Sequence, residues 1–136
     1  MKKFDVSVGF VLVNDNKQFL LLKKAVDGVW DFPKGHFNEG ETDERLVAYR
    51  ELEEETSINK KCLRVVEGFR RTMTFRNPVG VDRKLVLFLA FCNEEPLLSA
   101  EHTEYRWVDV KEAKKLLFFD EKKKLIDGAY KRIRNI

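Results

Sequence analysis

The sequence has few of the features that mark secreted or membrane proteins. Its 136 residues include only two cysteines, Cys62 and Cys92, and their spacing matches no metal motif, so we expect both thiols to be reduced. The longest apolar run, Leu85 to Cys92, is far too short to cross a bilayer. The N-terminal segment MKKFDVSVGF lacks the long apolar core and the small-residue cleavage site of a signal peptide. We therefore expect a cytoplasmic protein that does not contact membranes.

Repeats, low-complexity segments and a strong charge of one sign are also missing. The net charge is only +3, and the basic residues near the C-terminus are more typical of a solvated helix face than of a nucleic-acid interface. The composition, 43% hydrophobic and 36% charged, is that of a globular protein. A chain of this length without an internal linker predicts a single domain over residues 1–136.

Residue patterns predict strands first, then one central helix, more strands and two final helices. The strands are predicted at residues 6–13, 18–22, 63–75, 84–92 and 105–110, and the helices from about Thr42 or Asp43 to Glu55, at 111–117 and at 121–133. Asn14 to Asn16 indicates a hairpin between the first two strands, and residues 77–80 indicate a tight turn. Thr42 is the predicted N-cap of the central helix. This order predicts an α/β fold in which a mixed sheet lies between helices on both faces.

The segment RELEEETSI, residues 50–58, concentrates glutamates in the central helix. Most glutamate-rich segments are solvated helix faces. Here, however, Glu51, Glu54 and Glu55 stand at i, i+3 and i+4, which places them on one face. That face borders the apolar pair Ala48 and Leu52, so the carboxylates converge beside the buried side of the helix and repel one another. Carboxylate oxygens in such a group favour Mg²⁺, with Mn²⁺ as the alternative.

A loop that contains glycine precedes this helix. The segment PKGHFNEGE, residues 33–41, contains Lys34 and His36 and offers a glycine-containing backbone that can approach a ligand closely. Protein-bound Mg²⁺ is commonly shared with substrate phosphates. The loop and the helix together therefore predict a divalent-metal site that acts on a phosphate compound.

These residues resemble the Nudix box, G-x5-E-x7-R-E-U-x-E-E-x-G-U, in which U is aliphatic. The matching positions are Gly35, Glu41, Arg50, Glu51, Leu52, Glu54, Glu55 and Ile58. Two positions depart from the motif. Eight residues rather than seven separate Glu41 from Arg50, and Ser57 stands where the family has glycine. We expect the extra residue to lengthen the loop or the first helical turn, and Ser57 to be strained if its backbone is left-handed.

The resemblance extends over nearly the whole chain. WDFPKGH, VVEGFRR and EHTEYRWVDVKEA are similar to segments of the asymmetric diadenosine tetraphosphate hydrolases within the Nudix family. It implies an α/β/α Nudix sandwich and a small-molecule dinucleoside polyphosphate substrate. The implied reaction is Mg²⁺-dependent attack of water on phosphorus, which cleaves diadenosine tetraphosphate into ATP and AMP.

The resemblance also implies roles for individual residues. The implied metal ligands are Glu51, Glu54, Glu55, Glu101 and the carbonyl of Gly35. Glu54 is the candidate general base, with Glu51 as the alternative, whereas Glu41 and Arg50 are expected to brace the motif. The implied substrate contacts are Lys34, His36 and Lys84 for phosphate and Phe75 and Phe119 for adenine stacking. His102 is expected to be structural.

The motif leaves other functions open. An RNA 5′-end pyrophosphohydrolase, a nucleoside triphosphate hydrolase and an inositol-pyrophosphate hydrolase share the same chemistry. A catalytically silent module that binds nucleotide or RNA belongs to a different class, and the inserted residue and Ser57 are the features that keep this reading open. We expect the protein to be a monomer. We expect it to bind nucleic acid only if the 5′ end of RNA is its substrate.

Overall fold

The computed structural model describes residues 4–76 and 82–136. The strands are β1 (Phe4–Val13), β2 (Phe19–Lys24), β3 (Trp30–Asp31), β4 (Lys34–His36), β5 (Arg64–Arg76), β6 (Asp82–Phe91) and β7 (His102–Val108). The α-helices are α1 (Glu44–Thr56), α2 (Val110–Leu116) and α3 (Asp120–Ile133), and one 3₁₀ turn covers Lys60–Cys62.

The sheet is mixed and is organised around β1. This strand is parallel to β6, with Val8 opposite Val86, and antiparallel to β2 and β4. Outside this centre, β5 pairs with β6, and both β3 and β7 pair with β2. Both β1 and β6 contain long apolar runs, as expected of strands that are covered on both faces.

Helices cover both faces of this sheet. Val11 and Val13 of β1 join the core that contains Ala113 of α2 and Ile126 of α3. Phe10 and other alternate residues of β1 join the second core, beneath Val47, Ala48 and Leu52 of α1. The period-two alternation of a strand therefore produces two cores, one on each side of the sheet. The predicted α/β class with a mixed sheet between helices is confirmed.

Most element boundaries lie within one to three residues of the prediction. The predicted N-cap of α1, Thr42, is wrong, because Asp43 caps the helix. Its Oδ1 accepts a hydrogen bond from Leu46 N at 3.1 Å. Strands β3 and β4 were not predicted, since segments of two and three residues carry no periodic pattern. The predicted turn at residues 77–80 lies outside the described residues.

The C-terminal end of α1 carries the serine that departs from the Nudix motif. Ser57 has φ 62° and ψ 11°, which is left-handed backbone, and its N–H donates to Glu53 O at 2.8 Å. A non-glycine residue in this region costs about 1 kcal/mol. Leu97 N donates to Thr56 O at 2.8 Å, so the loop before β7 is fastened to the end of this helix.

In the described part of the chain, no helix is both long enough and apolar enough to cross a membrane.

Candidate active site

The glycine of β4 allows α1 to approach the sheet closely. A Cβ atom built on Gly35 would lie 2.0 Å from Cδ and Oε2 of Glu51, a distance that no side chain tolerates. Only glycine lets the Glu51 carboxylate lie against this strand. Burial raises the pKa of Glu51, and the neighbouring Glu54 and Glu101 raise it further, although the hydrogen bond and charge of Arg50 oppose the shift.

Glu55 is the most buried of the clustered carboxylates. Only 3% of its surface is exposed, and its Oε2 accepts a hydrogen bond from the backbone N of Lys34 at 3.1 Å. Burial raises the pKa of Glu55 to about 8, with a further contribution from the negative charge of Glu51. A carboxylate in this environment favours either a proton or a bound cation.

Arg50 connects the helix to the preceding loop. Its Nη1 donates to Glu51 at 2.9 Å and to Glu54 at 3.1 Å, while its Nε and Nη2 bind Glu41 at 2.9 and 2.7 Å. The same Nη2 donates to the carbonyl of His36 at 2.9 Å. These hydrogen bonds, first of all that to Glu41, raise the pKa of Arg50, so its charge is permanent. Arg50 therefore fixes the relative positions of the loop and two carboxylates.

The loop before β7 supplies a further carboxylate. The carbonyl of Glu101 accepts a hydrogen bond from Ala25 N at 2.8 Å, which fixes this loop to the end of β2. Ligand atoms of Glu55, Glu101 and His102 lie within 4.8 Å of one another. His102 Nε2 is 3.5 Å from Glu55 Oε1, and its buried Nδ1 has no hydrogen-bond partner in the described structure. Burial lowers the pKa of His102.

These carboxylates line one cleft, which we call the acidic cleft. Its charged and histidine side chains are Glu51, Glu54, Glu55, Glu101, Lys24, Lys34, His36 and His102, and Gly35 forms part of its wall. Four carboxylates outnumber two lysines here, so the cleft has a net negative charge. A set of hard oxygen donors fits Mg²⁺ or Mn²⁺ better than a soft metal.

A second cleft, of about 310 Å³, adjoins the first, and we call it the cationic cleft. Its charged side chains are Lys24, Lys34, Arg76, Arg83, Lys84, Lys122, Asp5 and Asp31. Six cations outnumber two carboxylates, so it attracts anions. Lys24, Lys34 and His36 line both clefts, which therefore adjoin along a shared wall.

Two phenylalanines form the apolar part of the cationic cleft. The ring centroids of Phe75 and Phe119 are 4.8 Å apart, and the ring planes are tilted by 46°. The rings touch, so no base fits between them in this conformation. A base can stack on the open side of one ring, or between both after Phe119 turns away, and Phe119 is 42% exposed.

Known proteins are similar to this chain in both sequence and fold. The NUDIX domain family matches residues 3–128. The chain belongs to the Nudix family. A mouse asymmetrical bis(5′-nucleosyl)-tetraphosphatase is 41% identical over 115 residues, which covers 81% of this chain and 76% of that protein. An RNA pyrophosphohydrolase of Yersinia enterocolitica is 29% identical over 119 residues, covering 75% of this chain and 67% of the relative.

Solved structures give the same assignment. A C. elegans Ap4A hydrolase in a binary complex superposes with a TM-score of 0.89 and 28% identity, covering 96% of this chain and 98% of that one. The predicted Nudix membership and the enzyme class are confirmed, and the protein is a Nudix hydrolase. Nudix hydrolases generally use divalent metal ions, and the donor set of the acidic cleft fits such an ion.

The predicted metal-site residues and substrate contacts of this Nudix hydrolase lie in the two clefts. All five predicted metal-site residues line the acidic cleft: Gly35, Glu51, Glu54, Glu55 and Glu101. All five predicted substrate contacts line the cationic cleft: Lys34, His36, Phe75, Lys84 and Phe119. Glu41 and Arg50 line neither cleft and lie behind the acidic one.

Sequence reasoning assigned no site role to three buried polar residues of the two clefts: Asp31, His102 and Lys122. His102 was expected to be structural, and it lines the acidic cleft, where its ring lies with Glu55 and Glu101 in a group whose ligand atoms are within 4.8 Å of one another. Its position next to Glu101 was the available signal. Asp31 and Lys122 are 2% and 6% exposed, and Lys122 Nζ donates to Asp31 Oδ2 at 2.8 Å. They are 91 residues apart, and nothing in the sequence pairs them.

Proposed function

We propose that this Nudix hydrolase is a Mg²⁺-dependent enzyme that cleaves dinucleoside polyphosphates, with diadenosine tetraphosphate giving ATP and AMP. The observation that carries this proposal is that the two clefts adjoin and share Lys24, Lys34 and His36. A polyphosphate chain needs metal-binding carboxylates and compensating cations side by side, and a nucleoside at its end needs an aromatic surface. The mouse tetraphosphatase relative supports the choice of substrate.

In this proposal the metal is held by Glu51, Glu54, Glu55 and Glu101, together with the carbonyl of Gly35. When bound, Mg²⁺ neutralises phosphate charge and lowers the pKa of a coordinated water. The contact that only Gly35 permits supports the assignment, because it brings the Glu51 carboxylate and the backbone of β4 to the same place. The backbone N–H of Lys34 orients Glu55 from the same strand.

The carboxylate of Glu54 is our candidate general base, with Glu51 as the alternative. The side chain of Glu54 is 56% exposed, whereas that of Glu51 is 14% exposed, so Glu54 has more room for a water molecule. A water proton passes to the carboxylate, the water oxygen bonds to phosphorus, and the anhydride bond to the leaving phosphate breaks. Arg50 holds Glu54 by a 3.1 Å hydrogen bond and limits its rotation.

Side chains of the cationic cleft bind the rest of the substrate in this proposal. Lys34, Lys84 and His36 contact the phosphates, and Phe75 and Phe119 stack with a base, which is worth roughly 1–3 kcal/mol. We also propose that the enzyme acts as a monomer.

Product analysis tests this function. The purified protein is incubated with Mg²⁺ and diadenosine tetraphosphate, and the products are resolved by ion-exchange chromatography. We expect equal amounts of ATP and AMP, and a rate that falls about 10²- to 10⁴-fold in Glu54→Gln. Glu53→Gln is the matched control, because Glu53 lies on the same helix and binds Asn59 Nδ2 at 2.8 Å, outside both clefts.

Other product patterns would contradict parts of the proposal. Two molecules of ADP would mean that the bond cleaved is the central one. No product from the dinucleotide, with pyrophosphate released from 5′-triphosphorylated RNA, would favour the function named for the Yersinia relative. Equal loss of activity in Glu53→Gln and Glu54→Gln would remove the assignment of the base.

A further inference from the structure

Lys122 is a buried lysine whose ammonium group faces the aromatic part of the cationic cleft. It lies in the first turn of α3, and only 6% of its surface is exposed. Its Nζ lies 5.4 Å from the ring centroid of Phe119 and 5.7 Å from that of Phe75. Buried lysines need a partner, and Asp31 Oδ2 accepts its hydrogen bond at 2.8 Å.

Asp31 holds this ammonium in place and is itself held. Its Oδ1 accepts a hydrogen bond from Phe32 N at 2.8 Å, which restricts rotation of the carboxylate. Lys34 Nζ and Lys24 Nζ lie 3.7 and 3.8 Å from Asp31 Oδ2. Burial opposes the charge of Asp31, but Lys34 and Lys122 outweigh it and keep the pKa of this carboxyl below its ordinary value. Asp31 therefore remains an acceptor and directs the Lys122 ammonium towards the rings.

An ammonium group can only donate hydrogen bonds. Lys122 has three N–H donors, and one of them binds Asp31. A base stacked on Phe75 or Phe119 lies about 3.5–4 Å from the ring, so its edge comes within reach of an ammonium at 5.4–5.7 Å from the centroids. The edge that meets Lys122 must carry acceptors, because a donor facing a donor leaves both unpaired.

Purines differ at this edge. Guanine and hypoxanthine present two adjacent acceptors, O6 and N7, whereas adenine presents N7 beside an N6 amino donor. Lysine paired with O6 and N7 of guanine is a common specific contact between proteins and nucleic acids.

We propose that Lys122, fixed by Asp31, is a specificity-determining residue that favours 6-oxopurines over adenine at the Phe75–Phe119 surface. The proposal rests on the proposed function and narrows its substrate: among dinucleoside polyphosphates, those that carry guanosine or inosine have the higher kcat/KM.

The test measures the binding of GMP, IMP and AMP to the full chain by isothermal titration calorimetry. These monophosphates need no turnover, so base selectivity is measured whether or not the protein cleaves dinucleotides. We expect GMP and IMP to bind with a Kd at least about fivefold lower than that of AMP. IMP is the decisive ligand, because it shares O6 and N7 with GMP and lacks the 2-amino group.

Lys122→Met removes the ammonium and keeps the length of the side chain. Lys24 and Lys34 remain within 3.8 Å of Asp31, so this carboxylate keeps charged neighbours. We expect the three Kd values of the variant to converge within about twofold. Lys124→Met is the matched control, because Lys124 is exposed on the same helix outside the cationic cleft, and it should keep the wild-type ratio. If Lys122→Met does not fold, the Kd of 7-deaza-GMP for the wild-type protein tests the proposal instead. This ligand lacks N7, so it should bind more weakly than GMP.

Four results would overturn the proposal. AMP could bind as tightly as GMP, GMP could be preferred while IMP is not, Lys122→Met could weaken all ligands equally, or no monophosphate could bind. Equal weakening would assign Lys122 to the phosphates. A protein that prefers GMP and IMP but cleaves no dinucleotide would lose the proposed function and keep this inference, and cleavage without base preference would do the reverse.

Discussion

The acidic cleft and the cationic cleft share a wall but are built in different ways. Three of the four carboxylates of the acidic cleft lie on one helix, α1, and residues 34–38 lie beside them. Residues 24–26, Phe32, Glu101 and His102 complete the lining. The cationic cleft collects side chains from distant segments, among them Asp5, Lys24, Phe75, Lys84 and Lys122. A local cluster depends on helix periodicity and one close backbone contact, whereas a distributed cluster depends on the register of the whole sheet. The two clefts should therefore respond differently to mutation.

The largest effect is expected where the acidic cleft has no room. Gly35→Ala places a Cβ atom 2.0 Å from the Glu51 carboxylate, so either β4 or Glu51 must move. A shift of about 1 Å costs roughly 10²-fold in rate. We expect kcat for the dinucleotide to fall by at least about that factor, whereas mononucleotide binding in the cationic cleft stays within about threefold, as followed by calorimetry.

Gly40→Ala is the control for that variant. Unlike Gly35, Gly40 has a positive φ, 83°, and nothing lies within 4 Å of its Cβ position. We expect a loss of about 1 kcal/mol in unfolding free energy and an unchanged kcat. If both variants lost activity equally, loop strain rather than the contact with Glu51 would be the cause.

A smaller effect is expected from the residue that braces the acidic cleft. Arg50→Lys keeps the charge but cannot bind Glu41 with two nitrogens while also reaching Glu54 and His36. Loss of such supporting contacts typically costs about 10- to 100-fold, so we expect a fall of this size in kcat/KM and weaker Mg²⁺ binding. Activity titrated against Mg²⁺ measures both, and Mg²⁺ affinity equal to wild type would contradict the bracing role.

A still smaller effect is expected in the cationic cleft. Lys84→Gln removes one of six cations from this cleft, so we expect KM to rise about tenfold with kcat nearly unchanged. The salt dependence of KM should also become shallower, because one charge fewer meets the phosphates. A change confined to kcat would instead place Lys84 in the chemical step.

The smallest effect concerns stability and its dependence on pH. Burial raises the pKa of Glu55 from 4.5 to about 8. The contribution of the protonated Glu55 carboxyl to the unfolding free energy is therefore fully present below pH 4.5 and is lost as the pH rises through 8. In EDTA, the unfolding free energy of the wild type should therefore fall between pH 5 and pH 8. The difference in unfolding free energy between Glu55→Gln and the wild type should shift by about 1–2 kcal/mol in favour of the variant over the same range. Thermal unfolding of both proteins at each pH measures this difference.

Added Mg²⁺ separates the metal site from the fold in the same experiment. It should raise the Tm of the wild type at pH 8, because it neutralises the charged Glu55, and should raise that of Glu55→Gln less. Glu53→Gln, which changes an exposed carboxylate on the same helix, should keep the wild-type slope. Parallel pH profiles for wild type and Glu55→Gln would contradict the raised pKa.

The sequence predicted the acidic cleft better than the cap of its helix or the short strand beside it. The positions of Glu51, Glu54 and Glu55 predict a shared face, and all three line one cleft. Thr42 was wrong as the N-cap, because Thr and Asp at adjacent positions are both good caps and only the path of the loop selects Asp43. Strand β4 was missed, since its three residues owe their conformation to pairing with β1.

By itself, the sequence determined which residues lie on one face of a helix and which segments form buried strands, because helix and strand periods are local properties of the chain. This was enough to predict a mixed sheet between helices and to identify the Nudix motif. Only the tertiary structure decided that Asp31 meets Lys122 across 91 residues, that Phe75 touches Phe119, and that His102 lies beside Glu55. Such contacts depend on how distant segments pack together, and local patterns do not encode those distances.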